Sequence, residues 1–281
     1  MQNDYFSGLT PKEREIIVDK GTESPFTGKY DDHFEAGIFI CRACKNPLYE
    51  SNTKFNSGCG WPSFDDEIIG SINRNDDHSL GRHRIEICCA KCDGHLGHVF
   101  SGENITKKDT RHCVNSLSIE FKSYKNLRHI FLAGGCFWTI EKIFKNIKGV
   151  YMTQCGYMGG KIKDPSYEDV CTGKTDHAEV VQIYFDDKVI NFDSLLDIFW
   201  DNHNPTSINE QGRDQGTQYR SVIFYTSLSQ KGLAEESKVR FQKLYEDKDI
   251  ITQIIKSEYF YRAEEYHQDY LNKNNLDRCP I

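Results

Sequence analysis

Ile130-Phe131-Leu132-Ala133-Gly134-Gly135-Cys136-Phe137-Trp138 is the stretch at which the character of the chain changes. Four apolar residues in a row read as a buried strand, and two glycines end it. Phe137, Ile140, Phe144 and Ile147 then recur at helical spacing. Strand, glycine turn and amphipathic helix in succession predict a domain of α/β or α+β type. Further strands are predicted at 178–185 and 219–226. Helices are predicted at 194–202, with Asp193 or Ser194 as cap, and at 230–247. Cys136 falls at the predicted start of the first helix, where unpaired N–H groups and the positive end of the dipole favour a thiolate.

Upstream of Lys122 the pattern is different. A short polar helix is expected at 11–20, followed by turns around Gly21, Pro25 and Gly28. Short runs are then broken by Gly, Asn and Asp, and 84–88 and 115–121 alternate at period two. This half is predicted to be mostly β. The organisation expected is a first domain over 1–122, a polar join over 123–127 and a second domain over 128–281. A chain of 281 residues is comfortable as two domains.

With 38% hydrophobic and 12% aromatic residues the chain can build packed cores. Its net charge of −7, without long single-sign runs, argues against a nucleic-acid partner, which calls for a basic field. Met1-Gln2-Asn3-Asp4-Tyr5 shows no signal-peptide pattern, and no run reaches the roughly 18 apolar residues of a membrane span. The expectation is a soluble, cytoplasmic protein with neither nucleic-acid nor membrane partner. Eleven cysteines in a reducing compartment should divide among metal ligands, redox thiols and core filler.

Cys41-Arg-Ala-Cys44 and Cys89-Ala-Lys-Cys92 form two tight pairs that can complete a tetrahedron around Zn²⁺. With all four positions filled by protein, the ion would be structural. Cys88 shares a strand face with Glu86 and reads as filler. His95 and His98 could ligate a metal, or donate protons to a substrate oxygen near Cys113 in Arg111-His112-Cys113-Val114-Asn115. Cys59, between Gly58 and Gly60, sits on a hinged loop that could approach another sulfur, and Trp61 offers an apolar wall.

Residues 9–121 resemble the B-type methionine sulfoxide reductases. The resemblance rests on Gly21-Thr22-Glu23-x-Pro25-Phe26-Thr27-Gly28, both cysteine pairs, residues 57–64, residues 95–100 and residues 111–115. It implies Cys113 as nucleophile, Cys59 as resolving thiol, and Trp61, His95, His98 and Asn115 as the lining of the substrate pocket. His112 departs from the aromatic residue usual before the nucleophile, and an effect on the acidity of Cys113 is expected from it.

The second half carries Asp164-Pro165-Ser166-Tyr167-Glu168-Asp169-Val170-Cys171, Asp176-His177-Ala178-Glu179 and residues 211–221. Taken singly, each reads as polar surface. In this order after Gly-Cys-Phe-Trp, and with residues 155–160 and 202–206, they resemble the A-type methionine sulfoxide reductases over 128–279. The resemblance implies Cys136 as nucleophile, Phe137 and Trp138 as the pocket for the sulfoxide methyl, and Glu179 as the acid. Tyr167 and Tyr219 would donate hydrogen bonds to the sulfoxide oxygen, and Asp214 would orient that network. Cys279 would be the resolving cysteine on a tail that stops two residues later, so its disulfide is expected to pass directly to the reductant. Asn204 stands where an aspartate is frequent. Cys155 and Cys171 read as core, Cys171 being a lesser candidate for sulfur relay.

Together the two resemblances imply a mostly-β, zinc-containing domain of antiparallel sheets followed by an α+β domain of the ferredoxin-like two-layer sandwich type. The expected activity is reduction of methionine sulfoxide, free or in peptides and proteins. The R epimer goes to the first domain and the S epimer to the second, with thioredoxin as reductant and no organic cofactor. Sulfoxides are chiral at sulfur, and the two epimers call for separate enzymes. Two other readings compete: a zinc-stabilised binding module fused to one thiol enzyme, and a general disulfide oxidoreductase. Cys59 and Cys113 speak against the first. The use of both Cys-x-x-Cys pairs as metal ligands speaks against the second.

Overall fold

The computed structural model describes residues 4–81, 83–245, 247–277 and 279. The chain divides into two units, Met1–Asn126 and Leu127–Ile281.

In the first unit α1 (Pro11–Ile17) is held by a capping box between Thr10 and Glu13 and buries Ile16 and Ile17. It ends before the expected Lys20, which takes a positive φ of 59° as the chain turns. Nine strands follow: β1 (Gly37–Cys41), β2 (Pro47–Glu50), β3 (Lys54–Phe55), β4 (Ser63–Phe64), β5 (Ile72–Asp77), β6 (Arg84–Cys89), β7 (His95–Ser101), β8 (Thr110–Val114) and β9 (Ile119–Ser123). They form two antiparallel sheets, ordered β2-β1-β9 and β3-β4-β8-β7-β6-β5. Phe39, Tyr49, Phe64, Ile87, Leu96 and Val114 belong to their common core, and Tyr49 stacks on Phe64 with ring centroids 4.2 Å apart.

The alternation read at 115–121 becomes a strand only from Ile119. Ser116–Ser118 is a 3₁₀ turn, because its N–H groups are drawn onto a buried carboxylate. Glu23 accepts from the backbone N–H groups of Ser116 (2.5 Å) and Leu117 (3.2 Å).

The second unit contains β10 (Arg128–Ala133), α2 (Phe137–Lys145), β11 (Val150–Met158), α3 (Tyr167–Cys171), β12 (Ala178–Phe185), α4 (Phe192–Asp201), β13 (Glu210–Gln211), β14 (Asp214–Gln215), β15 (Val222–Tyr225), α5 (Leu228–Gln242), β16 (Gln253–Lys256), β17 (Tyr261–Arg262) and α6 (Tyr270–Lys273). Its main sheet runs β16-β15-β10-β12-β11-β17, antiparallel except for the β15–β16 pair. The sheet is buried on both faces. Ile130 and Leu132 point to the side covered by α2 and α4, while Phe131 and Ala133 join the opposite cluster with Met158 and Phe224. That explains why β10 is an uninterrupted apolar run rather than an alternating one.

Helix α4 starts earlier than expected, because Asn191 rather than Asp193 or Ser194 caps it by accepting from the Ser194 N–H. Ser227 caps α5 in the same way. Among the described residues, no helix is long and apolar enough to cross a membrane.

Candidate active sites and metal centre

The two cysteine pairs converge. Cys41 Sγ lies 3.6 Å from Cys92 Sγ and Cys44 Sγ lies 3.5 Å from Cys89 Sγ, with all four sulfurs within 4.8 Å of one another. Zn–S bonds of about 2.3 Å in a tetrahedron require sulfurs about 3.8 Å apart, so the four fit the ion as they stand. Each pair is a turn closed at its far end by a residue with positive φ. Lys45 (64°) donates its N–H to the Cys41 carbonyl, and Asp93 (59°) donates to that of Cys89. Cys88, one residue off this register, is buried beside Glu86 on the other face of β6.

Cys113 lies in β8, with Ser63 of β4 and His98 of β7 opposite it in register. Its sulfur is 3.9 Å from that of Cys59, on a loop turned by Gly58 (φ 70°) and Gly60 (φ 88°). The two thiols act on each other in opposite directions. Cys59 is brought down to about 4, chiefly by the hydrogen bond from Cys113, helped by the hydroxyls of Ser57 at 3.0 Å and Ser63 at 3.5 Å. Cys113 is pushed up by that same neighbour and by burial, with Arg111 opposing. The Arg111 guanidinium is fixed by a two-pronged pair with Glu103 at 2.7 Å.

His95 Nδ1 lies 2.7 Å from Glu86, which also takes the Lys20 ammonium at 2.8 Å. Burial lowers the pKa of His95, favouring a neutral ring, and its buried Nε2 has no hydrogen-bond partner among the described residues. His98 Nε2 pairs with Asp77 at 2.8 Å. Asn115 is engaged internally, accepting from the Glu23 N–H (3.1 Å) and donating to the Leu96 carbonyl (3.2 Å). Trp61 donates its indole N–H to the Glu23 carbonyl at 3.0 Å. Glu23 thus ties Trp61, Asn115 and the turn after Cys113 together.

His112, on the opposite face of β8, is buried between Tyr49 (3.2 Å) and Glu67 (3.0 Å). Its ring is turned into the core, and the groups that set the acidity of Cys113 are Cys59 and Arg111 instead. The expected influence of His112 on that thiol is therefore not what this geometry supplies.

Gly97 makes the close approach of β7 to β8 possible. A Cβ there would stand 2.0 Å from the Cys113 carbonyl oxygen, at a φ of 152°. Gly97→Ala is expected to destabilise the first unit by about 3 kcal/mol and to remove the activity of Cys113. Denaturant melts and an assay of that site check this, and a stable, active variant contradicts it.

In the second unit Cys136 is the N-cap of α2, and Gly135 (φ 96°) makes the turn into it. The Phe137 N–H donates to Glu179 at 3.0 Å, and the Cys136 N–H donates to Asp214. Glu179 is 1% exposed, and burial pushes it up to about 8. Taken singly 176–179 read as surface, but His177 is buried just ahead of β12 and Glu179 is buried within that central strand. Tyr167 and Tyr219 are raised by burial and then by the Glu179 charge, which sets both hydroxyls in its neighbourhood. Cys279 is within hydrogen-bonding reach of the Cys136 thiol and packs on the same core.

Phe137 and Trp138 are buried, and Trp138 stacks on Tyr270 with ring centroids 3.8 Å apart. His267, which the sequence reading missed, lies 5.1 Å from Phe137 and 4.4 Å from Tyr167 by ring centroids. Glu264, also missed, accepts from the Tyr157 hydroxyl and the Tyr167 N–H, both at 2.9 Å. Nothing local in sequence marks either residue. Cys155 is buried as expected, whereas Cys171 is exposed. The latter ends the five-residue helix α3, one place after Val170, which turns into the core, and Tyr167 lies within hydrogen-bonding reach of its sulfur.

Residues 128–281 match the family described as peptide methionine sulfoxide reductase, and residues 9–123 match the SelR domain. A peptide methionine sulfoxide reductase MsrA from Methanothermobacter thermautotrophicus is 52% identical over 146 residues, covering 52% of this chain and 86% of the relative. The crystal structure of Mxr1 from Saccharomyces cerevisiae in reduced form is 39% identical. It covers 55% of this chain and 90% of its own, with a TM-score of 0.53. Methionine sulfoxide reductase A of Corynebacterium diphtheriae is 36% identical, covering 55% and 78%, with the same TM-score of 0.53.

Proposed function

Because the chain belongs to the peptide methionine sulfoxide reductase family, with a B-type domain at residues 9–123 fused to an A-type domain at residues 128–281, we propose that each domain repairs one epimer of oxidised methionine, the first taking R and the second S. Residues 123–127 serve as the join. The observation that carries this reading is that each unit separately brings a second thiol to its candidate nucleophile: Cys59 to Cys113 and Cys279 to Cys136. A binding module has no use for such a pair. The second unit is read as a ferredoxin-like two-layer sandwich on its β10-α2-β11-β12-α4-β15 succession and its side-by-side order β15-β10-β12-β11.

The chemistry is the same in both domains. A cysteine thiolate attacks the sulfoxide sulfur while an acid protonates the oxygen, since a bare oxide is a poor leaving group. The substrate gains two electrons and departs as the thioether. The cysteine, oxidised by two electrons, keeps the oxygen as a sulfenic acid. The resolving thiol then forms an S–S bond, and the S–O bond breaks with loss of water. A dithiol protein of the thioredoxin class supplies the two electrons and two protons that restore both thiols by exchange.

In the first domain the Cys59 and Cys113 sulfurs lie 3.9 Å apart, close enough for the second thiol to reach the sulfenic acid formed on Cys113. His98, oriented by Asp77, and His95, oriented by Glu86, are read as the groups that meet the sulfoxide oxygen, His95 donating from Nε2 only when its ring is protonated. Cys41, Cys44, Cys89 and Cys92 would hold Zn²⁺, which supplies a structural cross-link there.

In the second domain Glu179 is the acid. With its pKa raised to about 8 it is protonated below that pH and loses its proton as pH rises through it. Reduction of the S epimer is therefore expected to fall on the alkaline side of about 8. Glu179→Gln should lower kcat/KM by roughly 10²- to 10⁴-fold and remove that fall. A pH–rate profile unchanged in the variant would sink the assignment. The domain assignment itself is tested by assaying separated epimers against the two nucleophile variants.

A further inference from the structure

The tail that carries Cys279 is bound to the helix that begins at Cys136. Lys145 pairs with Asp269 at 2.5 Å, Glu141 accepts the Asp269 N–H at 2.8 Å, and the Gln268 amide bridges the backbone N–H and carbonyl of Cys155. The last of these ties is Lys142. Its ammonium donates to the Leu276 carbonyl at 2.6 Å and lies 3.3 Å from the Asp277 carboxylate.

The spacing is matched at both ends. Lys142 is six residues into the helix from Cys136, about 9 Å along its axis. Leu276 is three residues before Cys279, a reach of about 10 Å when extended. Leu276 and Cys279 both pack on the core cluster that contains Cys136. A tail gripped at residue 276 by this lysine therefore delivers its thiol to the head of the same helix. Released at that point, the thiol would sweep a volume set by the chain from Lys273 onward, and its encounters with Cys136 would become rarer.

We propose that Lys142 is a positioning residue for the second step of the A-type reaction: it latches the tail so that Cys279 meets the sulfenic acid on Cys136. The inference rests on Cys279 being the resolving thiol, as read above. Lys142 touches neither the substrate nor the reacting sulfurs. Its removal leaves the attack of Cys136 on the sulfoxide as it was and slows only the attack of the Cys279 thiolate on the sulfenic sulfur, in which the S–S bond forms and water leaves. A charge-assisted hydrogen bond that is 26% exposed at its lysine end should hold the tail docked by about five- to tenfold.

The test is a single turnover of the full chain carrying Cys113→Ser, without reductant, on a peptide containing S methionine sulfoxide. Two quantities are followed, methionine formed and sulfenic acid trapped by dimedone. With Lys142→Met, methionine should form at the parental rate while disulfide formation slows about five- to tenfold and the trapped adduct rises. Lys142→Arg should restore both. Parental disulfide formation in Lys142→Met overturns the latch. Slowing of both steps together overturns it too, because that marks a support of the whole fold. Cys279→Ser run alongside separates the two readings. If it still forms a disulfide at the parental rate, the resolver assignment fails and the latch with it. If it accumulates sulfenic acid while Lys142→Met does not, only the latch fails.

Discussion

Cys136→Ser is expected to abolish reduction of the S epimer by the full chain and to leave reduction of the R epimer unchanged, and Cys113→Ser to do the reverse. Each loss should reach roughly 10⁴-fold or more, because a serine hydroxyl is neither acidic enough to ionise in these sites nor able to carry the oxygen as a sulfenic acid. The separation should be clean, since the two cysteines stand in units with separate hydrophobic cores. Serine is also nearly isosteric, so neither fold is disturbed. Separated R and S sulfoxides, with a thioredoxin system recycling the enzyme, provide the assay. R activity lost from Cys136→Ser would reverse or dissolve the assignment, and Cys113→Ser with both activities intact would reduce the first unit to an accessory domain.

Chelating the metal that the four thiolates would hold, or replacing Cys44 by serine, is expected to unfold the first unit and spare the second. A structural zinc contributes on the order of 10–16 kcal/mol of binding free energy in small zinc-finger peptides, as much as or more than the whole stability of a typical domain, about 5–15 kcal/mol. The ion would tie the turn after β1 to the turn after β6, which lie in different sheets, so both sheets should come apart. Scanning calorimetry should show two transitions in the loaded chain and one after chelation, with R activity lost and S activity kept. A metal-free chain that retains both transitions and reduces the R epimer would show that the cluster needs no ion.

Each domain drew on its own kind of signal. The cysteine pairs, the Gly-Gly-Cys-Phe-Trp start of α2 and the apolar run of β10 are local, and backbone geometry acts on them directly. A two-residue gap between cysteines brings their sulfurs to one side of a turn, and glycine permits the conformations that bracket Cys59 and precede Cys136. Errors at element ends arose where a distant partner competed. Glu23 pulled Ser116 and Leu117 out of the expected strand, and Asn191 captured the start of α4.

The sequence by itself determined the presence of two domains and, through residue type, short spacing and family resemblance, singled out Cys113 and Cys136 as candidate nucleophiles and the four paired cysteines as candidate metal ligands. Only the tertiary structure decided the state and orientation of the groups around them. Glu179 is pushed up to about 8 because a central strand buries it, against the opposing hydrogen bond from the N–H of Phe137, 42 residues earlier. Glu86 and Asp77 fix the two histidines across strands, Glu23 reaches 93 residues to the turn after Cys113, and Lys142 reaches 134 to the tail. Desolvation and hydrogen bonding depend on distance in space, and at these separations along the chain no pattern of residues encodes that distance until the chain has folded.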